Sequence, residues 1–234
     1  MIRKLFILLF IFNLTACAEL QQVVNQLPQG TTLGNDEIAS GLRQALNFGI
    51  DKQVSKLTQT DGFFRNELVK ILLPDELKKV DKTLRDVGLG NLADEGLKVL
   101  NRAAEDAVKE ATPIFMDAVK DITFADAKNI LLGNDHAATQ YLTNKTETAL
   151  YAKFNPVIKK SFSKVGADQI WSNLISRYNA LPITADVNPD LTDYVTKQAL
   201  EGVYTMIAVE EKDIRTNFSS RTTDLLKRVF ALQD

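Results

Sequence analysis

The sequence predicts an all-α fold: a single multi-helix domain of about nine or ten helices. Two observations carry this. From Asn35 onward apolar residues recur at the spacing of one helix face almost throughout, and no stretch alternates apolar and polar residues like a half-buried strand. Breaks in the pattern coincide with Gly, Pro or a capping side chain, which is how separate helices are punctuated. A body of about 200 residues is large enough for one real core, and no repeat with a period of about 20–50 residues stands out. Nothing inside residues 35–234 reads as a linker.

Ahead of that body, Arg3 and Lys4 precede an apolar run from Leu5 to Phe12, and Leu14-Thr15-Ala16-Cys17 comes next. A charged start, a short apolar core and a small-residue cleavage site are the layout of a secretory signal peptide, which assigns residues 1–16 to a removed segment. The run is shorter than the roughly 20 apolar residues of a membrane span. Leu-x-Ala-Cys resembles the bacterial lipobox. That resemblance implies cleavage between Ala16 and Cys17, acylation of the Cys17 thiol, and usually acylation of the new amine. It also implies a Gram-negative envelope. Ala18 replaces the Asp that would signal inner-membrane retention, which favours the outer membrane, facing the periplasm.

Cys17 is the only cysteine. Once acylated it leaves no thiol for a disulfide, so stability rests on the core. Loss of Arg3 and Lys4 takes the formal charge from −2 to −4. That balance is too weakly acidic to imply a nucleic-acid partner or an electrostatic hold on anionic lipid. Acyl chains on Cys17 must supply the membrane attachment: each buried CH₂ contributes about 0.8 kcal/mol, and several chains hold stably where one holds marginally.

Residues 17–34 comprise the acylated cysteine and a polar, Gln-rich stretch broken by Pro28, Gly30 and Gly34. As a flexible tether it spans about 20–25 Å. Leu20, Val23, Val24 and Leu27 equally allow a short helix packed on the body.

The first body helix is read from Ile38, Leu42, Ala45, Leu46, Gly49, Val54 and Leu57, with Asp36 as N-cap and Asp61-Gly62 as its end. A short helix is expected over Phe63–Leu73, then another over Asp75–Val87 behind Pro74, stopped by Gly88 and Gly90. From Asn91 to about Ala111 the stripe Leu92, Gly96, Leu100, Ala103, Ala104, Ala107, Ala111 is mostly small, inviting close approach of a neighbour. Thr112-Pro113 reads as N-cap and N1 of a further segment. Thr123 caps Phe124–Leu132, which Gly133 stops, and Asp135 opens the next helix.

Pro156 and Gly166 divide the next stretch into helices near 136–154, 156–165 and 167–180. Leu181–Val187 has loop or strand character. Asn188-Pro189 then starts the best-patterned helix, whose face is Leu191, Val195, Ala199, Gly202, Val203, Met206 and Ile207. A final helix, Arg221–Leu232, turns Leu225, Leu226, Val229 and Phe230 inward, capped by Ser219 or Ser220, with Asp224 at its positive end.

Several segments together resemble the bacterial lipoprotein family called domain of unknown function 4197. They are Gly41–Leu46, Asn101–Ala107, Asp121–Ala127, Ala137–Tyr141 and Arg221–Phe230, with Asn-Arg-Ala-Ala-Glu and Arg-Thr-Thr-Asp-Leu-Leu the most specific. The resemblance spans about residues 30–232. It implies a helical periplasmic domain and brings no catalytic residues.

Few residues suggest chemistry. One histidine, His136, excludes paired-histidine metal sites, and no GxSxG, P-loop or GxGxxG occurs. No cofactor, metal ligand or catalytic residue is assigned. Glu210, Glu211 and Asp213, with Lys212 and Arg215, could supply acid and base groups. They also read as the solvated charged end of a helix, with Glu211 and Arg215 paired at i,i+4, and that reading is preferred. Asn101 and Glu105 interrupt an apolar row four residues apart, with Arg102 in reach. They read as a polar network locking helices, or as a grip on a polar head group. Lys159, Lys160 and Lys164 form a basic cluster near Phe162, read as a solvated face.

These features predict a non-enzymatic, membrane-anchored envelope lipoprotein that acts as an interaction or scaffolding module for an envelope protein. The alternative is a carrier of an apolar or lipid-like ligand held in a bundle cavity beside the small stripe.

Overall fold

The structure is a computed structural model describing residues 33–233, except 87, 89, 165, 167, 168, 170, 173–175 and 177–189. Eight α-helices and no strand lie among the described residues. They are α1 (Asn35–Leu57), α2 (Asp75–Asp86), α3 (Gly90–Val108), α4 (Ala111–Lys120), α5 (Phe124–Leu131), α6 (Ala137–Lys164), α7 (Thr192–Thr216) and α8 (Asp224–Phe230), with a 3-10 turn over Phe218–Ser220. The all-α, single-domain prediction holds, with eight helices among the described residues against the nine or ten expected of the chain, most of the expected 167–180 helix lying outside the described residues. The Cys17 and Ala16 assignments, the tether, the Leu181–Val187 segment and Asn188-Pro189 lie outside the described residues.

The core is built around α7, which packs on α6, α1 and α3. Its buried residues include Val195, Ala199, Gly202, Val203, Met206 and Ile207, the expected face. Gly202 lets the loop after α1 approach: a Cβ there would stand 2.7 Å from Phe63 Cε1. Helix α1 lies between α7 and the α4–α5 pair, and α8 closes over its first half, Gly41 lying against Val229.

Three expectations fail for identifiable reasons. Pro156 does not divide a helix; it sits inside α6. One continuous seam, Leu142, Thr146, Leu150, Phe154, Ile158 and Phe162, is buried on both sides of it. Burying that seam outweighs the roughly 3 kcal/mol that an interior proline costs.

Residues 63–73 do not form a helix. They run through turns into a stretch without regular structure, and across 69–73 Val69, Ile71 and Leu73 are buried while Leu72 is exposed. Spacing of two, hidden inside a short apolar run, places alternate side chains on one side.

Several caps shift. Helix α1 starts at Asn35, so Asp36 falls in its first turn. Helix α4 starts at Ala111, placing Pro113 at its third position. Helix α8 is capped by Thr223, whose hydroxyl accepts the Leu226 N–H, because Phe218–Ser220 is occupied by the 3-10 turn. The Thr123 cap stands as read: its hydroxyl accepts the Asp126 N–H at 3.1 Å, and Asp126 accepts the Thr123 N–H in return at 2.9 Å.

Candidate functional site

Polar groups buried in a helical core must be satisfied, so the buried carboxylates are where function or architecture has to show. Asn101 and Glu105 lie one turn apart on α3, both buried. Asn101 Oδ1 accepts the Ile71 N–H at 2.8 Å, and its Nδ2 donates to the Ile71 and Leu97 carbonyls at 2.9 and 2.8 Å. Glu105 Oε1 accepts the Phe63 N–H at 3.2 Å, and Oε2 accepts from Arg102, also at 3.2 Å. Arg102 reaches Asp61 as well, a residue held at φ 63° where the chain turns out of α1.

This set fastens residues 61–71 to α3. Burial pushes the Glu105 carboxyl above the ordinary carboxylate range, against the pull of the Phe63 N–H and Arg102. The polar network expected at Asn101 and Glu105 is present, and its partner is a loop backbone.

The Glu210–Arg215 segment corrects the sequence reading. Glu210, Glu211 and Arg215 are buried, not solvated. Glu210 accepts from Lys52 Nζ at 2.6 Å and Gln53 Nε2 at 2.5 Å, tying α7 to α1. Glu211 accepts the Ala138 and Thr139 N–H groups at 2.9 and 2.8 Å, capping the N-terminus of α6 from another helix. Arg215 grips Glu211 Oε1 and donates to the Ile130 and Leu131 carbonyls that end α5.

One i,i+4 pair therefore satisfies the end of one helix and the start of the next. Of the remaining residues, Lys212 is exposed and Asp213 is half-buried. Bonds from Ser220 and Asn217 hold the Asp213 carboxyl below its ordinary range.

A second buried arginine completes this corner. Arg221 donates to the Ile214 and Arg215 carbonyls at 3.1 and 2.9 Å, and lies 5.9 and 5.8 Å from the Phe218 and Phe230 ring centroids. The Gln233 amide donates to the Leu131 carbonyl. The ends of α5, α7 and α8 thus meet here, closed by Arg215, Arg221 and Gln233, which satisfy carbonyls that have no partner within their own helices. Sequence reasoning missed this corner, whose signal in the chain was Arg215 in the last turn of α7.

The small stripe of α3 is filled rather than hollow at Gly96, where a Cβ would stand 2.7 Å from Trp171 Cζ2. Ala103, Ala104, Ala107 and Ala111 are buried. A cavity between α1 and α7, lined by Leu42, Leu46, Ile207 and Phe230 among others, has a volume of about 20 Å³, the room of a single water. A larger hollow of about 470 Å³ is an open surface cleft, bordered by Lys70, Leu72, Pro74, Lys78, Tyr194 and Gln198. In the core, Thr146 and the Tyr204 hydroxyl are 2.8 Å apart, and burial pushes the Tyr204 hydroxyl up to about 12.

His136 is exposed, as are Lys159, Lys160 and Lys164, while Phe162 is buried. Among the described residues no three His, Cys, Asp or Glu side chains are grouped to hold a metal, and no helix is long and apolar enough to cross a membrane.

Neither the curated proteins nor the solved structures contain a match to the chain. The family model described as "Protein of unknown function (DUF4197)" does match, over residues 32–231, so nearly all of this helical body is covered and the chain belongs to that family.

Proposed function

We propose that the protein is a lipid-anchored, non-catalytic interaction or scaffolding module of the bacterial cell envelope. The observation that carries the non-catalytic part is the use made of the buried acids. All six carboxylate oxygens of Glu105, Glu210 and Glu211 accept a hydrogen bond from a backbone N–H or a neighbouring side chain. Each of the three acids thereby joins its own helix to another segment of the fold. A general acid or base needs an oxygen that can reach substrate, and these oxygens are committed to architecture. The anchoring part rests on Arg3, Lys4, the Leu5–Phe12 run and the Leu14–Cys17 sequence.

The test is crosslinking in intact envelopes followed by recovery of the full-length protein. The proposal expects the same partner repeatedly, at a yield unchanged by Glu210→Gln. Recovery of the protein alone in every preparation would count against a scaffolding role. Loss of a measurable turnover on Glu210→Gln, with stability retained, would return the enzyme reading.

A further inference from the structure

The cleft of about 470 Å³ beside α7 has walls that other parts of the fold hold in place. One wall is the chain from Lys70 to Pro74. The Tyr194 hydroxyl donates to the Leu72 carbonyl at 2.9 Å, Asn101 clamps the Ile71 peptide, and Leu73 is buried. A second wall is α7, where Tyr194 and Gln198 stand one turn apart. The third is the first turn of α2, from Asp75 to Lys78, which the fully buried Leu77 holds down. The volume falls within the range of about 300–1,000 Å³ usual for small-molecule sites. A hollow with fixed walls needs little of the ordering that weakens binding.

Positive charge is in excess at this cleft. The charged residues among its described borders are Lys70, Lys78 and Asp75. Lys78 and Asp75 pair at 2.6 Å with side chains 63% and 87% exposed, so water screens the bond and a ligand can compete for the lysine. Lys70 is half-buried, with its ammonium 4.8 Å from the Phe64 ring centroid, and Lys98 lies 5.8 Å from the same ring. Among the described residues neither Lys70 nor Lys98 stands in an ion pair. Two ammonium groups drawn to one ring raise the local positive potential.

Neutral donor and apolar surface lie beside these charges. Gln198 donates one amide hydrogen to Glu201 at 3.0 Å, and an amide carries a second. Leu72 is turned outward by the burial of Ile71 and Leu73 on either side of it, and Pro74 borders the same hollow. A cation here would meet the lysines, and a wholly apolar ligand would strip water from them without replacing it.

We propose that this cleft binds a small organic anion, a carboxylate or phosphate ester with a short apolar chain. Its charged oxygens lie toward Lys70 and Lys78, and its chain lies on Leu72 and Pro74. The site depends neither on the anchor nor on a protein partner.

Lysine footprinting tests this on the full-length protein in neutral detergent. Brief acetylation is run with and without hexanoate, hexyl phosphate or hexyltrimethylammonium, and peptide mass spectrometry reads the rate at each lysine. Hexanoate or hexyl phosphate should slow acetylation of Lys70 and Lys78 at least about threefold at saturation, since protection follows occupancy. Hexyltrimethylammonium should not. Protection by hexanoate alone identifies a carboxylate ligand, and by hexyl phosphate alone a phosphate ester. Lys159, Lys160 and Lys164 are exposed and serve as the non-specific reference. Leu72→Ser, at an exposed position, should remove most of the protection, and Lys70→Gln should remove it at Lys78, with circular dichroism unchanged.

No slowing at Lys70 and Lys78 with either anion overturns the proposal. So does equal slowing by hexyltrimethylammonium, equal slowing at Lys159, Lys160 and Lys164, or undiminished protection in both variants. Each of these results leaves the envelope reading intact.

Discussion

The Asn101 side chain pairs with the Ile71 peptide as a neighbouring strand would, accepting its N–H at 2.8 Å and donating to its carbonyl at 2.9 Å. A helix side chain thereby replaces the ladder that residues 69–73 lack. Asn101→Leu leaves two buried backbone groups unpaired and should cost about 2–4 kcal/mol. Asn101→Asp removes the donor and should cost a similar amount. Urea unfolding measures both, and proteolysis should reveal early opening near residues 63–73. A cost below about 0.5 kcal/mol would remove the network from the account.

The Glu211–Arg215 pair predicts an asymmetric response. Arg215→Ala leaves the buried Glu211 carboxylate without its cation and takes one donor from each of two carbonyls, and should destabilise by about 3–5 kcal/mol. Arg215→Lys keeps the charge but loses the fork that serves Glu211 and the α5 carbonyls together, so an intermediate loss is expected. Equal losses for Ala and Lys would show that charge alone is dispensable here.

Burial raises the Glu105 carboxyl from its ordinary value of 4.5. The folded state therefore holds this proton more tightly than the unfolded state does. Its favourable contribution is complete below 4.5 and declines as pH rises through the folded value. Glu105→Gln keeps an acceptor for the Phe63 N–H and removes the titration. The stability of wild type relative to Glu105→Gln should fall as pH increases above about 4.5 and then level off. A relative stability that rises over that range would reverse the sign and contradict the cause given.

Gly96→Ala tests whether the small stripe is packed or hollow. Its Cβ would stand 2.7 Å from the Trp171 ring, so a loss of about 1–3 kcal/mol and a change in tryptophan emission are expected. An unchanged spectrum and stability would indicate spare room and favour the carrier reading.

The long helices were legible because their buried faces repeat over many turns, as Val195, Ala199, Val203 and Ile207 do on α7. Asn101 and Glu105 were legible too, since polar residues interrupting an apolar row must find partners. Glu211 and Arg215 were not. An i,i+4 pair looks the same in sequence whether it meets water or caps helices more than 70 residues away. The alternating burial at 69–73 was hidden for a related reason. Val-Lys-Ile-Leu-Leu fits either period, and the choice is made by Asn101, 30 residues later.

Intact-mass and peptide mass spectrometry of the protein purified from its own envelope tests the anchoring claim most directly. The account predicts a chain lacking Met1–Ala16 and beginning at Cys17, with diacylglyceryl on the thiol and an acyl group on the amine. A chain retaining Met1, or carrying an unmodified Cys17, would contradict it.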